Sequence, residues 1–388
     1  MTERGSGGGE HRRSRRYSHA APMAGPDDTT MASAPAPIRV GLIGYGYAGK
    51  TFHAPLIRAV PALDLRVVGS RDPAKVRVDL PSLAVLTDPA TVATSEDVDL
   101  VVIASPNDTH APLAQIALEA GKHVVVDKPF TLDLAEARGL VALARRQGRM
   151  LSVFHNRRWD SDYLTVRRAI ADGRVGKVRH FESHFDRFRP QVRDRWREGA
   201  GPGGGIWYDL GPHLVDQALQ LFGLPDRVTA NLARLRPGAL SDDWAHVVLA
   251  YRDLRVVLQA SMLVAGGSSR FVVHGEAGSL IKERSDIQEQ QLLAGMAPGA
   301  PGWGEDPDGI AIHDGSGAVA HAPAVVGDQR RYYADLARQL VQGVVESSAA
   351  LEALQVMACL EAALIAARTG TSVALTLTPG ERDASGCG

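Results

Sequence analysis

Cysteine is nearly missing from this chain: Cys359 and Cys387 are the two in 388 residues, too few for a disulfide framework or a thiolate metal site. That scarcity suits a reducing compartment, and a cytoplasmic location is the expectation. No cluster of His, Cys, Asp and Glu has metal-ligand spacing, so no metal is expected, and His155 and His184 read as core or network histidines. An excess of one charge is missing too. Lys and Arg number 43 against 44 Asp and Glu, for a formal net charge of −1, so no global field recruits nucleic acid or a membrane surface. No segment reads as a membrane span. Residues 1–37 almost lack large aliphatic side chains and are rich in Gly, Ser, Pro and Arg, which predicts a disordered tail. Ser14-Arg15-Arg16-Tyr17 hints at a twin-arginine export signal, but no apolar stretch follows it. A basic nucleic-acid arm, or a start placed ahead of Met23 or Met31, are the other readings of this tail.

What is present is an ordinary globular composition, 45% hydrophobic and 22% charged, on a chain long enough for two cores. From Ile38 short apolar runs alternate with helical stretches: Ile38–Ile43, Leu65–Gly69, Ala84–Leu86, Leu100–Ala104, His123–Val126 and Leu151–Phe154. Continuous apolar runs separated by helices predict a parallel sheet covered on both faces. After about Asn156 the strands alternate instead, as in Val178–Phe185, Val228–Leu235, His246–Tyr251 and Arg255–Met262, with a turn at Arg252-Asp253. Leu214–Phe222, Tyr332–Gln342 and Leu351–Arg368 are the expected helical cover, and Gly295–Gly317 reads as a long surface loop. The fold class is therefore α/β: a nucleotide-binding domain over 38–155, then an α+β domain over 156–380, with 381–388 as a flexible C-terminus.

Gly44, Gly46 and Gly49 form G-x-G-x-x-G directly after the first strand and before helical material. In that context the pattern predicts a pyrophosphate cradle, with Tyr45 inside it; the alternative is a glycine turn without a ligand. Pro55 is expected to kink the first turn of the following helix. At the end of the second strand Ser70 stands where a ribose-binding carboxylate is expected, and Arg71 follows. A hydroxyl beside a planar guanidinium suits a 2′-phosphate, hence NADP, with NAD possible if Asp72 serves as the acid. Pro106, Asn107 and His110 follow the fourth strand, and Asp127-Lys128-Pro129 ends the fifth at the same edge. Lys128 there is either a site residue or an ordinary surface lysine. Asp209 and His213 are four apart and share a helix face, so the carboxylate could orient the histidine; a surface pair or a cap is the plainer alternative. Pro212 fits if regular helical bonding begins near it.

Taken in order, Gly44-x-Gly46-x-x-Gly49, Asp127-Lys128-Pro129 and Asp209-x-x-x-His213 resemble the Gfo/Idh/MocA family from about Ile38 to about Leu377. Within it the strings SVFHNRRWDSDYLTV, ESHFDRFRPQVRDRWRE and GIWYDLGPHLVDQALQLFG are most similar to the NADP-dependent scyllo-inositol dehydrogenase branch. The resemblance implies a Rossmann domain, then a domain with a large, mostly antiparallel sheet. It also implies hydride transfer between NADP and a ring hydroxyl or ketone of a cyclitol or sugar. Lys128, Asp209 and His213 would be catalytic, and Pro106, Asn107, His110 and Lys128 would lie along the nicotinamide ribose. Candidates for substrate hydroxyls are Asn156, Arg157, Asp160, Asp186, Arg187, Tyr208 and Tyr332. A homodimer or homotetramer is expected. A non-catalytic nucleotide-gated sensor and an NAD-dependent glycoside hydrolase stay open beside the dehydrogenase reading.

Overall fold

The computed structural model describes residues 36–345 and 348–383; most of the tail expected over 1–37, and Cys387 with the rest of 384–388, lie outside them. The six apolar runs form one sheet: β1 (Ile38–Ile43), β2 (Leu63–Gly69), β3 (Ala84–Leu86), β4 (Leu100–Ile103), β5 (His123–Val126) and β6 (Leu151–Val153). All pairings are parallel, in the order β3-β2-β1-β4-β5-β6. The runs are apolar throughout because both faces are buried. In β4, Val101 and Ile103 join one core while Leu100 and Val102 join the other. The intervening helices are α1 (Ala54–Arg58), α2 (Pro73–Asp79), α3 (Pro89–Thr94), α4 (His110–Glu119) and α5 (Leu134–Gln147). A π-helical turn, Gly49–His53, precedes α1, so Pro55 sits within a helical segment that starts at Tyr47 rather than in its first turn. The wider turn accommodates the amide that proline lacks.

After α6 (Ser161–Ala171) come β7 (Val178–Asp186), α7 (Ile206–Phe222), β8 (Arg227–Ala233), β9 (Trp244–Ala250), β10 (Arg255–Ser261), β11 (Phe271–Gly275) and β12 (Gly278–Lys282). Then follow α8 (Gln288–Leu293), β13 (Ile310–Asp314), β14 (Val319–Ala322), α9 (Arg330–Val341), α10 (Ser348–Thr369) and α11 (Pro379–Arg382). The eight strands order as β14-β13-β12-β11-β7-β10-β9-β8, and every pairing is antiparallel except β7 with β10. The stretch read as a surface loop, Gly295–Gly317, contains β13 and a buried Trp303. Ile310 and Ile312 alternate inward there, a short period-2 signal hidden among Gly and Asp.

Helix α7 begins eight residues before the expected Leu214. Asp242 explains the early start, accepting from the Ile206 amide through its carbonyl (2.8 Å) and from the Trp207 amide through Oδ2 (2.8 Å). Pro212 therefore lies inside the helix, not near its start. Helix α10 packs on α7 and β8 of the second layer and on α5 and β6 of the first. It is long and apolar enough to cross a membrane by length and composition, contrary to the reading from sequence, but 67% of its most apolar stretch is buried inside the protein. Helix α9, although late in the chain, adds Tyr332, Tyr333 and Leu336 to the core under β1, β2 and β4. Residues 381–383, expected to be flexible, are held. Thr378 and Glu381 form a reciprocal cap, and Arg138 on α5 donates to both Glu381 oxygens at 2.7 and 2.9 Å.

Candidate active site

The sheet order reverses between β2 and β4, on either side of β1, and ligands of open α/β sheets bind at the carboxyl end of such a switch point. At that edge Gly44 adopts φ +98°, and a Cβ there would stand 2.5 Å from the Ala104 carbonyl oxygen. A Cβ on Gly49 would meet the Gly44 carbonyl oxygen at 2.0 Å, whereas one on Gly46 would meet nothing within 4 Å. Gly44 and Gly49 are thus required by packing, and Gly46 opens onto free space. That is the room a pyrophosphate needs against the turn, so the residues present fit a dinucleotide. Tyr45 is not part of that opening. Its side chain is buried and its hydroxyl donates to Asp79 (3.2 Å), because it points beneath the loop.

At the end of β2, Ser70 is half-buried and Arg71 is exposed with no ion pair among the described residues. The Asp72 carboxylate accepts from the Lys75 amide through Oδ1 (3.1 Å) and caps α2. After β4, Pro106 is exposed and Asn107 is buried, donating to the Gly203 carbonyl at 3.0 Å. His110 does not line the cleft beside this edge. It is 1% exposed, and its two ring nitrogens lie 2.8 Å from the Pro129 carbonyl and 3.0 Å from the Ser105 carbonyl. It ties the two loops together instead.

A cleft of about 340 Å³ lies beside this edge, and in it the two halves of the chain meet. Lys128, at the end of β5, donates to the Asp209 carbonyl oxygen (2.5 Å) and to Asp209 Oδ1 (3.1 Å) on α7. Arg197 approaches the same carboxylate at 3.7 Å. Burial opposes ionisation of Asp209, but Lys128, Arg197 and Arg187 hold its carboxyl well below the usual range. Asp127 behaves alike: burial is outweighed by His53, Lys128 and His110, which hold it at about 2. Its Oδ1 accepts from the Lys128 amide (2.8 Å) and so fixes the loop.

One turn after Asp209, His213 lines the cleft. Its Nδ1 is buried without a hydrogen-bond partner among the described residues, which leaves Nε2 for the cleft. Burial first, then the positive charges of Lys128 and Arg157, push its pKa well below the ordinary imidazole value. The sequence reading had Asp209 orient this ring. No hydrogen bond joins them, because the Asp209 carboxylate faces Lys128 and Arg197 instead.

Asn156, Arg157 and Arg187 line the cleft, but four other expected contacts do not. Tyr332 bonds Ser152 (2.8 Å) in a separate cavity, because α9 packs under the first sheet. The Tyr208 hydroxyl donates to the Leu132 carbonyl (2.8 Å), one helical step away from the face of Asp209. Asp186 accepts from Ser268 (2.7 Å). Asp160, fully buried, pairs with Arg157 (2.9 Å) and accepts from Gln329 (2.7 Å), so it positions the arginine. Sequence reasoning missed Tyr47 and Glu289, whose hydroxyl and carboxylate meet at 2.6 Å, with Arg157 on the other Glu289 oxygen at 3.0 Å. It also missed Arg189, Arg193, Arg195 and Arg197, which line the same cleft. Their signal was present in FRPQVRDRWRE, which places four arginines within nine residues, at 189, 193, 195 and 197.

The pattern described as "Oxidoreductase family, NAD-binding Rossmann fold" matches residues 38–155, and "Oxidoreductase family, C-terminal alpha/beta domain" matches 167–375. The uncharacterized oxidoreductase YdgJ of Escherichia coli is 52% identical over 342 residues, which cover 87% of this chain and 99% of YdgJ. The scyllo-inositol 2-dehydrogenase (NADP(+)) IolW of Bacillus subtilis is 33% identical, covering 87% of this chain and 96% of IolW. Among solved structures, an oxidoreductase-like protein from Klebsiella pneumoniae superposes with a TM-score of 0.84 at 56% identity, covering 90% of this chain and 98% of that one. Matched in both halves, and by relatives along nearly their whole length, the chain belongs to the Gfo/Idh/MocA family of oxidoreductases.

Proposed function

We propose that the protein is an NADP-dependent dehydrogenase that oxidises a ring hydroxyl of a cyclitol or sugar, or reduces the matching ketone. The observation that carries the reading is the meeting of Lys128, Asp209 and His213 in one cleft beside the opening at Gly46. A bound nicotinamide supplies the hydride acceptor or donor. His213 Nε2, neutral at physiological pH, takes the hydroxyl proton during oxidation and returns it in the reverse direction. The Lys128 ammonium, held by Asp209, stabilises negative charge on the same oxygen, an effect worth about 3 kcal/mol in a water-poor site. Asn156 and Arg157 offer further donors to substrate hydroxyls. The choice of NADP rests on Arg71, exposed and with no ion pair among the described residues, and on an Asp72 that already caps α2 through one carboxylate oxygen. The similarity to IolW, a scyllo-inositol 2-dehydrogenase (NADP(+)), supports this reading. The half-exposed face of the eight-stranded sheet, where β7 and β9 present alternate residues, is the surface proposed for pairing with a second copy.

The test is reduced-cofactor absorbance with NADP⁺ or NAD⁺ and a panel of inositols and hexoses. Lys128→Met should lower kcat by about 100-fold or more while nucleotide binding persists. Arg71→Ala should raise KM for NADP⁺ and leave KM for NAD⁺ unchanged. Tight nucleotide binding with no turnover of any polyol would favour a sensor, and a bound cofactor with net cleavage of a glycoside would favour the hydrolase.

A further inference from the structure

The segment between β7 and α7 gives the cleft a surplus of positive charge. Arg195 is paired with Glu198 (2.7 Å), and Arg197 faces Asp209 (3.7 Å). The guanidinium groups of Arg187, Arg189 and Arg193 have no hydrogen bond or ion pair among the described residues, although all three line the cleft. Arg187 and Arg189 are half-buried, so they are not ordinary solvated surface charges. Burial, followed by repulsion from Arg187, Arg193 and Arg195, depresses the pKa of Arg189.

This crowding is held in place by a rigid backbone. The Arg187 and Arg189 amides donate to the carbonyls of Ser261 (2.8 Å) and Met262 (2.7 Å). From beneath, the buried Arg236 donates to the carbonyls of Arg189 (3.0 Å) and Gln191 (3.2 Å). It is itself fixed by Asp243 and Glu198, both at 2.9 Å. Glu198 also accepts from the Arg193 amide (3.1 Å). A buried scaffold that forces unpaired guanidinium groups toward one cleft is costly unless an anion arrives to share them. Their planar forks match the oxygens of a phosphate or carboxylate.

We propose that the cleft selects an anionic substrate, a polyol or sugar bearing a phosphate or carboxylate group, which Arg187, Arg189 and Arg193 hold while the reacting hydroxyl meets Lys128 and His213. This rests on the dehydrogenase reading above and narrows its substrate class. The same anion chemistry could instead come from the cofactor's own phosphates, and the test separates the two sources.

Matched neutral and charged compounds, glucose with glucose 6-phosphate and gluconate, and myo-inositol with inositol 1-phosphate, are compared in kcat/KM. Inorganic phosphate is titrated calorimetrically into the protein saturated with NADP⁺. Anionic members should be preferred by about tenfold or more. Arg189→Gln and Arg193→Gln should each raise their KM by about 10- to 100-fold, with kcat and the KM of neutral polyols little changed. Phosphate should bind the wild-type protein and lose affinity in both variants. Equal or better use of neutral compounds would overturn the anionic preference while leaving the dehydrogenase reading intact. Loss of NADP⁺ affinity in the variants, with unchanged phosphate binding, would assign the arginines to the cofactor and overturn it as well. Absence of all turnover would refute the dehydrogenase reading, and the phosphate titration would still decide whether the cleft binds an anion.

Discussion

His213 carries a pH signature. An imidazole whose pKa is pushed well below 6.5 by burial and by Lys128 and Arg157 is neutral across the range where an exposed histidine titrates. As a base it works only when unprotonated, so activity persists above the lowered pKa and falls off below it. The acid limb of kcat/KM should therefore lie below pH 6.5, and His213→Ala should remove turnover without removing nucleotide binding; a limb centred at 6.5 or higher would contradict this role. At this scale the sequence was partly legible. Lys128 could be found because it ends a strand at the edge where ligands gather, and His213 because it lies one turn beyond Asp209. Tyr332 and Asp186 were misjudged because sequence position does not tell which way a side chain points once its element is packed. The arginine rim was overlooked because closely spaced charges in a Pro-containing stretch resemble a solvated loop, and only the buried Arg236 beneath them shows otherwise.

Among the elements, α7 is the one that carries Asp209 and His213, and its distance from α10 is set by Gly211. A Cβ there would meet the Trp207 ring at 2.8 Å and Leu360 Cδ2 at 3.0 Å. Trp207 is wholly buried and its indole nitrogen donates to the Leu360 carbonyl (3.3 Å), which fixes the ring against the glycine. Gly211→Ala should cost about 1–3 kcal/mol, read as a lower urea midpoint, and should also lower kcat because Asp209 and His213 shift with the helix. An unchanged midpoint would mean that the helices can separate freely. The strands of the first sheet were legible because both faces are buried and the runs are apolar throughout. The start of α7 was not, since its first amides are satisfied by Asp242, 35 residues beyond Trp207 in the chain.

On the scale of the whole molecule, the chain's last described turn is tied back to its first layer. The Arg138 hydrogen bond holds the Glu381 carboxyl down at about 2, below the ordinary 4.5. For a carboxyl with a lowered folded-state pKa, the stabilisation is complete above 4.5 and fades as pH falls through about 2. Arg138→Ala should cost about 0.5–1 kcal/mol at neutral pH, since the pair lies near the surface. The difference from the parent protein should shrink between pH 4.5 and 2, as measured by urea midpoints at both ends. That long-range tie could not be read from sequence, because the two residues are 243 positions apart.

The contact between Lys128 and Asp209 joins residues from the two layers, and neither layer alone holds both members of the pair. Exchange of modules is thereby constrained. A chimera that grafts this nucleotide layer onto a foreign partner inherits the glycine turn intact, but it must re-register a lysine and a carboxylate to within an ångström across a new seam. The unit that lineages can shuffle is therefore the seam together with both of its sides.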